Sequence, residues 1–346
     1  MNAKQAELKP DPTLRFVRAS VAERCNLSCV YCPKQTGMEN FVPENFRNHR
    51  LSTKDYCRTL EHIAAAGFNA ISFTGGEPTL NRDLPVITEH ARGLFQRVEM
   101  TTNGRFLPRQ LDRLAPHLDL MKVSLDSTDP DLAHQIMRGR RDDFDRARTA
   151  IRAALEAGVN VGVNLVAMRR NLDEIEKVID FARQMRRETG GTIYVSVLDL
   201  YFSEETRQFW LDEFVPLDDI IGTYEERYGS GDWQQRRGTE FGWFTTEDVQ
   251  VRFKSSYAST FRSARCETCP VYCQEGMYAL KLSVEGWVTL CPSNAEEMGA
   301  LLSAGIDPEA AQARLAPLMA ELRSTRQVSD SFEQMLARRN LVLAGR

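Results

Sequence analysis

Eight cysteines stand among the 346 residues, and seven of them fall into two groups. The stretch CNLSCVYC places Cys25, Cys29 and Cys32 within eight positions. Three chemistries compete for such a loop: a disulfide, a zinc site, and an iron–sulfur cluster with one ligand missing. Zinc takes four ligands, commonly in C-x2-C pairs, and C-x3-C-x2-C has no fourth Cys or His nearby. Three thiolates suit a 4Fe–4S cluster with one corner open, because four thiolates are its full set. The free iron can bind a cofactor that donates two ligating atoms and then receives an electron. The second group begins with CETCPVYC, giving Cys266, Cys269 and Cys273 in a C-x2-C-x3-C spacing, and Cys291 follows a turn signal at Gly286. Four thiolates and a hairpin would serve structural zinc equally well. Cys57, inside STKDYCRTLEHIAAAG, reads as a small core residue.

The elements that must position these loops are legible as an alternation. Strand-like runs cover 16–22, 70–75, 98–103, 120–125, 161–168 and 192–200, with amphipathic helical segments between them. Gly67, Gly158 and Gly190 fall where helices should stop. This repeat predicts an α/β fold: six βα units in a partial (β/α)6 barrel, two units short of closure. Residues 1–15 are an N-terminal extension and 16–200 the barrel. Residues 201–250 form a connecting segment whose crowded aromatics, Trp210 and Phe214 among them, favour packing over a substrate wall. Residues 251–300 hold the second cysteine group and a hairpin around Glu285–Gly286, so the chain carries a small C-terminal β-hairpin/helical module. Residues 301–346 supply closing helices, one of them interrupted or begun by Pro317.

Composition narrows the class. Hydrophobic content is 42%, charged content 27% and net charge −4, so no broad basic face for nucleic acid is expected. No run of eighteen apolar residues suits a membrane span, and the start has no apolar signal region. A cytoplasmic location is expected, where clustered thiols serve metals or catalysis.

C-x3-C-x2-C with an aromatic before its last cysteine resembles the radical S-adenosylmethionine (SAM) enzymes. FTGGEP (73–78), TTNG (101–104) and VSLDS (123–127) agree in order, each at a predicted strand end. The resemblance implies that Cys25, Cys29 and Cys32 hold a 4Fe–4S cluster. It implies reductive cleavage of SAM to a 5′-deoxyadenosyl radical that removes a hydrogen atom from a small-molecule substrate. An external donor such as flavodoxin or ferredoxin would supply the electron. Gly75 and Gly76 would let backbone approach the cofactor, and Glu77 would meet the methionine ammonium, with a helix-start role as its competitor. Tyr31 would contact adenine, Asn103 would lie at the cofactor, and Ser124 would reach the ribose or carboxylate. Met168 would pack on adenine or belong to the core.

RASVAERCNLSCVYC, VNVGVNLVAMRRNLDEIEKVIDFAR and the C-terminal cysteines resemble the molybdenum-cofactor GTP cyclase branch, over about 14–200 and 262–295. The branch grips a triphosphate with basic residues. Arg18 keeps one such position, whereas Ala70, Ser72 and Gly162 stand at basic ones, the branch's arginine-rich stretch after the C-terminal cysteines reads MYALKLSVEG and keeps only Lys281, and its glycine-glycine C-terminus is replaced by LVLAGR. Each lost charge-assisted contact is worth about 1.5–3 kcal/mol, so GTP is expected not to be the substrate. The expected substrate is a nucleoside, nucleotide or sugar derivative in natural-product biosynthesis, bound with Arg18, Thr102 and Lys281, and the outcome a C–C bond or an oxidation. The alternative is a peptide maturase, which would need a leader-binding domain; only about fifteen residues precede the first strand. The second cysteine group resembles a shortened auxiliary-cluster (Twitch/SPASM-like) module. That implies a second 4Fe–4S cluster on Cys266, Cys269, Cys273 and Cys291, with zinc as competitor. Lys254, Tyr257 and Arg262 are expected to face either substrate or surface, and Arg138, Arg140 and Arg141 either an anion or their neighbouring aspartates.

Overall fold

A computed structural model describes residues 11, 13–33, 41–47, 49–236, 239–246, 248–258, 260–269 and 276–338, apart from the side chains of 232–236 and 239–243. Cys273 and most of the 1–15 extension lie outside the described residues.

Six strands carry the alternation: β1 (Phe16–Ser20), β2 (Ala70–Thr74), β3 (Arg97–Thr102), β4 (Leu120–Ser124), β5 (Asn160–Val166) and β6 (Ile193–Leu198). They pair in sequence order and in parallel. Helices α1 (Thr53–Ala65), α2 (Leu84–Arg92), α3 (Leu111–Leu114), α4 (Pro130–Met137), α5 (Asp143–Glu156) and α6 (Glu174–Thr189) connect them. Alternate strand residues such as Val17, Ile71, Val98, Met121, Val163 and Val195 are buried in one core with the helices. Their neighbours point the other way, into the barrel. Ser52 caps α1 by accepting from Asp55 N, and Gly190 ends α6 at φ 69°, a left-handed position that glycine fills without strain.

The parallel sheet is wider than six units. The connecting segment contributes α7 (Arg207–Glu213), α8 (Leu217–Tyr228), β7 (Asp232–Arg236) and β8 (Thr239–Thr246), and β9 (Val249–Ser255) runs from its end into the segment expected to be the auxiliary module. β9 pairs in parallel with β6, and β8 and β7 extend the sheet in antiparallel fashion. After β10 (Thr260–Arg262), strand β11 (Ala279–Leu282) pairs in parallel with β1 at the other edge. β12 (Trp287–Thr289) and β13 (Gly299–Leu301) follow it antiparallel. Among the described residues, β11-β1-β2-β3-β4-β5-β6-β9 is therefore an unbroken parallel row, and no pairing joins β11 to β9. The sequence reading stopped at six because β9 and β11 follow irregular chain and not a crossover helix, so their partners are set by non-local pairing.

The aromatics of the connecting segment do pack. Trp210 stacks on Phe214 with ring centroids 4.2 Å apart, and Phe214 on Phe332 at 5.6 Å. Trp210 Nε1 donates to Leu200 O at 2.9 Å. Helix α9 (Pro308–Ser324) precedes β14 (Arg326–Val328), which pairs with β10, and α10 (Phe332–Arg338). Pro317 neither begins nor breaks α9 but rides inside it; buried Leu315, Leu318, Met319 and Leu322 hold that helix against the core, offsetting the missing backbone donor. No described helix is long and apolar enough to cross a membrane.

Candidate active site

The loop after β1 carries the first three cysteines, and neighbouring strand ends fix it on two sides. On one side Gly76 N donates to Ala22 O at 2.7 Å, and Glu77 N to Arg24 O at 2.9 Å. A Cβ on Gly75 would lie 2.2 Å from Ala22 O, and one on Gly76 2.3 Å from the Arg24 backbone. The two glycines thus let the end of β2 lie flat against the cysteine loop. On the other side Ser28 N donates to Met137 O at 3.2 Å and Val30 N to Ile136 O at 2.9 Å, tying the loop to the end of α4.

Glu77 is 1% exposed, and its carboxylate is spent inside the protein. Oε1 accepts from Thr79 N at 3.1 Å, Thr79 Oγ1 at 2.6 Å and Thr102 Oγ1 at 2.6 Å. Oε2 accepts from Asn103 N at 2.8 Å. Burial pushes its carboxyl up, and the donors from Asn103, Thr102 and Thr79 oppose that. Glu77 caps the short turn at 78–80 and clamps the end of β2 to the end of β3. The Thr102 hydroxyl is buried and held by Glu77. Asn103 does face the cysteines, donating through Nδ2 to Cys25 Sγ at 3.8 Å and to Asn26 Oδ1 at 3.0 Å.

Asp126 is a site residue that the sequence reading passed over within VSLDS. It is buried, accepts from Val166 N at 2.9 Å, and receives the Tyr31 hydroxyl at 2.8 Å. Burial pushes its carboxyl up to about 6, against those two donors. One carboxylate thus links the cysteine loop to the end of β5. Met168 is fully buried beside Ile136, Trp210 and Phe214. Ser124 ends β4 half-buried, in register with Asn164.

The donor set of the first loop fits an iron–sulfur cluster with an open corner. Leu27 N points at Cys25 Sγ at 3.4 Å, as does the Asn103 amide, the arrangement that stabilises a thiolate. Burial, Asp126 and the two neighbouring thiols push the Cys29 thiol well up. Ligation to a metal relieves such a strain by holding the thiols deprotonated. No three Cys, His, Asp or Glu side chains among the described residues already converge on one point.

In the second group, Cys266 and Cys269 share a turn, with Cys269 N donating to Cys266 O at 3.4 Å. Cys291 follows β12 and is buried. Burial pushes its thiol up; the Asn294 and Ser293 amides and Lys281 oppose this, and Cys266 adds to it. The hairpin expected at Glu285–Gly286 is the β11–β12 turn, with Gly286 at φ 86°.

The barrel face of the sheet is charged. Lys122 and Arg97 both bond Glu99, at 2.6 Å each. Arg252 Nε donates to Ser196 Oγ at 2.9 Å and its guanidinium lies 4.5 Å from the Tyr194 ring centroid. Arg18 is in register with Lys281, whose Nζ donates to Leu290 O at 3.3 Å. Lys254 sits on this face too. Tyr257 is buried with its hydroxyl on Asp218, Arg262 pairs with Asp330 at 3.2 Å, and Arg141 pairs with Asp131 on the surface.

A fold of this kind with three thiols at the end of its first strand is that of the radical SAM enzymes, and the comparisons agree. The model of the Radical SAM superfamily matches residues 20–182. GTP 3′,8-cyclase of Marinobacter nauticus is 30% identical over 289 residues, covering 82% of this chain and 80% of that protein. GTP 3′,8-cyclase of Rhodopseudomonas palustris is 28% identical over 313 residues, 85% of this chain and 84% of its own. A crystal structure of Streptococcus suis SuiB bound to the precursor peptide SuiA shares the fold. It has a TM-score of 0.60 at 16% identity, over 94% of this chain and 70% of that one. The chain belongs to the radical SAM superfamily and, within it, resembles the branch of the molybdenum-cofactor GTP cyclases. It is thus a radical SAM enzyme, a family that uses a 4Fe–4S cluster and SAM.

One expectation is overturned. The sequence reading excluded the GTP cyclase because basic residues were missing at 70, 72 and 162. Relatives about 30% identical over most of their length are GTP 3′,8-cyclases, which opposes that exclusion. The barrel face also carries Arg252 and Lys254 on β9, which that count did not include.

Proposed function

We propose that this chain is a GTP 3′,8-cyclase, joining C3′ of the ribose to C8 of the base. The observation that carries this is the match to cyclases over most of both chains, together with a cation-lined barrel face beside the cysteine loop. In this reading residues 16–200 form the catalytic barrel. When bound, the first cluster and SAM supply one-electron cleavage and a carbon radical able to take the C3′ hydrogen.

The chain's own residues do the rest. Cys25, Cys29 and Cys32 would hold the first cluster, and Asn103 would donate toward its sulfur. The backbone at Gly75–Gly76 and Tyr31, with the Ser124 hydroxyl, would line the cofactor. Glu77 would orient that lining by clamping β2 to β3. Arg18 would meet a phosphate. Residues 251–300 would form the auxiliary module, with Cys266, Cys269, Cys273 and Cys291 as thiolates for a second 4Fe–4S cluster. Lys281 beside Cys291 supports an electrostatic role there. An external reductant would supply the electron.

The test is anaerobic turnover of reconstituted protein with GTP, guanosine and ATP under a strong reductant. GTP-dependent formation of 5′-deoxyadenosine with consumption of GTP supports the proposal. Deoxyadenosine formation that is the same with or without GTP would refute it.

A further inference from the structure

Asn103, just past the end of β3, is fixed through both its backbone and its side chain. Its backbone N donates to Glu77 Oε2 at 2.8 Å, and its side-chain Oδ1 accepts from Arg105 N at 3.1 Å. With the oxygen taken by a backbone N–H, the amide has one orientation, and its nitrogen is turned to the cysteine loop. Nδ2 donates to Asn26 Oδ1 at 3.0 Å and to Cys25 Sγ at 3.8 Å. The residue is only 9% exposed, so water competes little for that donor.

The second amide is oriented by the first. Asn26 Oδ1 faces Asn103, and Asn26 Nδ2 is left buried with no hydrogen-bond partner among the described residues. A buried donor with nothing to bond costs about 1–3 kcal/mol, and this one sits on the residue next to Cys25. Leu27 N adds a further donor to Cys25 Sγ at 3.4 Å. Burial pushes the Cys25 thiol up and the Glu77 charge adds to it, while Leu27 N and the Asn103 amide oppose them. Cys25 thus receives donors both from its own loop and from the end of β3.

We propose that Asn103 is a positioning residue with Asn26 as its partner, the two amides together setting the reduction potential of the first 4Fe–4S cluster through Cys25. This rests on the cluster ligation proposed above and not on the choice of GTP as substrate. A reduced cluster carries one more negative charge than an oxidised one, and N–H donors to its sulfurs favour the more charged state. Glu77 and Arg105 N hold the donating amide, so its reach to the sulfur is set by the clamp between β2 and β3. Asn26 Nδ2 supplies the second donor on the same side of the loop.

The experiment is a redox titration of the reconstituted full chain followed by electron paramagnetic resonance, reading the signal that changes when SAM is added. Asn103→Ser should make reduction about tenfold less favourable, a potential lower by about 59 mV for a one-electron couple. Asn103→Asp keeps an acceptor for Arg105 N but turns a carboxylate oxygen toward the sulfur, and its potential should fall further. Asn26→Ser should shift it in the same direction by less. Arg187→Gln, at an exposed position of α6, should leave it unchanged. An unchanged potential in Asn103→Ser with its full iron overturns the proposal. So does loss of iron from the first loop in Asn103→Ser and Asn26→Ser alike, which would make the two amides merely structural. A parent protein whose first loop binds no iron overturns both this proposal and the cluster reading. A lowered potential in Asn103→Ser, in a protein that does not turn over GTP, sustains the proposal and refutes the cyclase reading.

Discussion

Tyr31 and Asp126 stand 95 positions apart in the chain and share one hydrogen bond. Removing the hydroxyl leaves a buried carboxylate short of a donor, which costs about 1–3 kcal/mol. Tyr31→Phe should therefore lower the urea midpoint of unfolding, without changing the dependence on denaturant; an unchanged midpoint would show that water replaces the hydroxyl. Cys25→Ser, Cys29→Ser or Cys32→Ser should each abolish SAM cleavage and cut iron at the first loop, measured by iron content and electron paramagnetic resonance. The cysteines were legible because their spacing is local. Asp126 and the role of Thr102 were not, since a carboxylate or hydroxyl acquires its partner only when distant strand ends meet. Glu77 shows the same limit: its partners inside the protein, Thr79, Thr102 and Asn103, are invisible in one dimension.

The βα elements are joined by clips that can be tested individually. Gly76 lets β2 touch the cysteine loop, and Gly76→Ala would force a Cβ against the Arg24 backbone. Overpacking of this kind costs about 1–3 kcal/mol. The variant should hold less iron after reconstitution, while circular dichroism still reports the sheet. A second clip is Glu174 at the start of α6, whose carboxylate accepts from Ser127 Oγ at 2.8 Å and Thr128 N at 2.6 Å and pairs with Lys177 at 2.6 Å. Burial raises its pKa, but Lys177, Thr128 and Ser127 outweigh that and bring it from 4.5 to about 2. The folded protein therefore keeps the charge where the unfolded chain has already taken a proton. This contribution, on the order of 2 kcal/mol, is complete above about pH 4.5 and vanishes as pH falls through about 2. Glu174→Gln should be less stable at pH 7, and the difference should shrink between those values in urea titrations. The six strand–helix repeats were readable from periodicity; β9 and β11 were not, because a short strand declares its partner only through the sheet it joins.

At the scale of the whole molecule, the main sheet carries the loop of the first cysteine group after β1 and Cys291 after β12, with β11 next to β1. If the second group holds its own cluster, Cys291→Ser should reduce iron from about eight to about four atoms per chain and leave SAM cleavage measurable. Retention of all the iron, or zinc in its place, would refute an auxiliary cluster there. The sequence weighed the substrate by counting basic residues against one pattern. That count left out Arg252 and Lys254, which lie on β9 within the 251–300 segment read as the auxiliary module. The most direct test follows the hydrogen at the ribose. GTP carrying deuterium at C3′ should pass that deuterium to 5′-deoxyadenosine in the reduced, reconstituted enzyme. Deoxyadenosine formed in the presence of that GTP but free of deuterium would contradict the account.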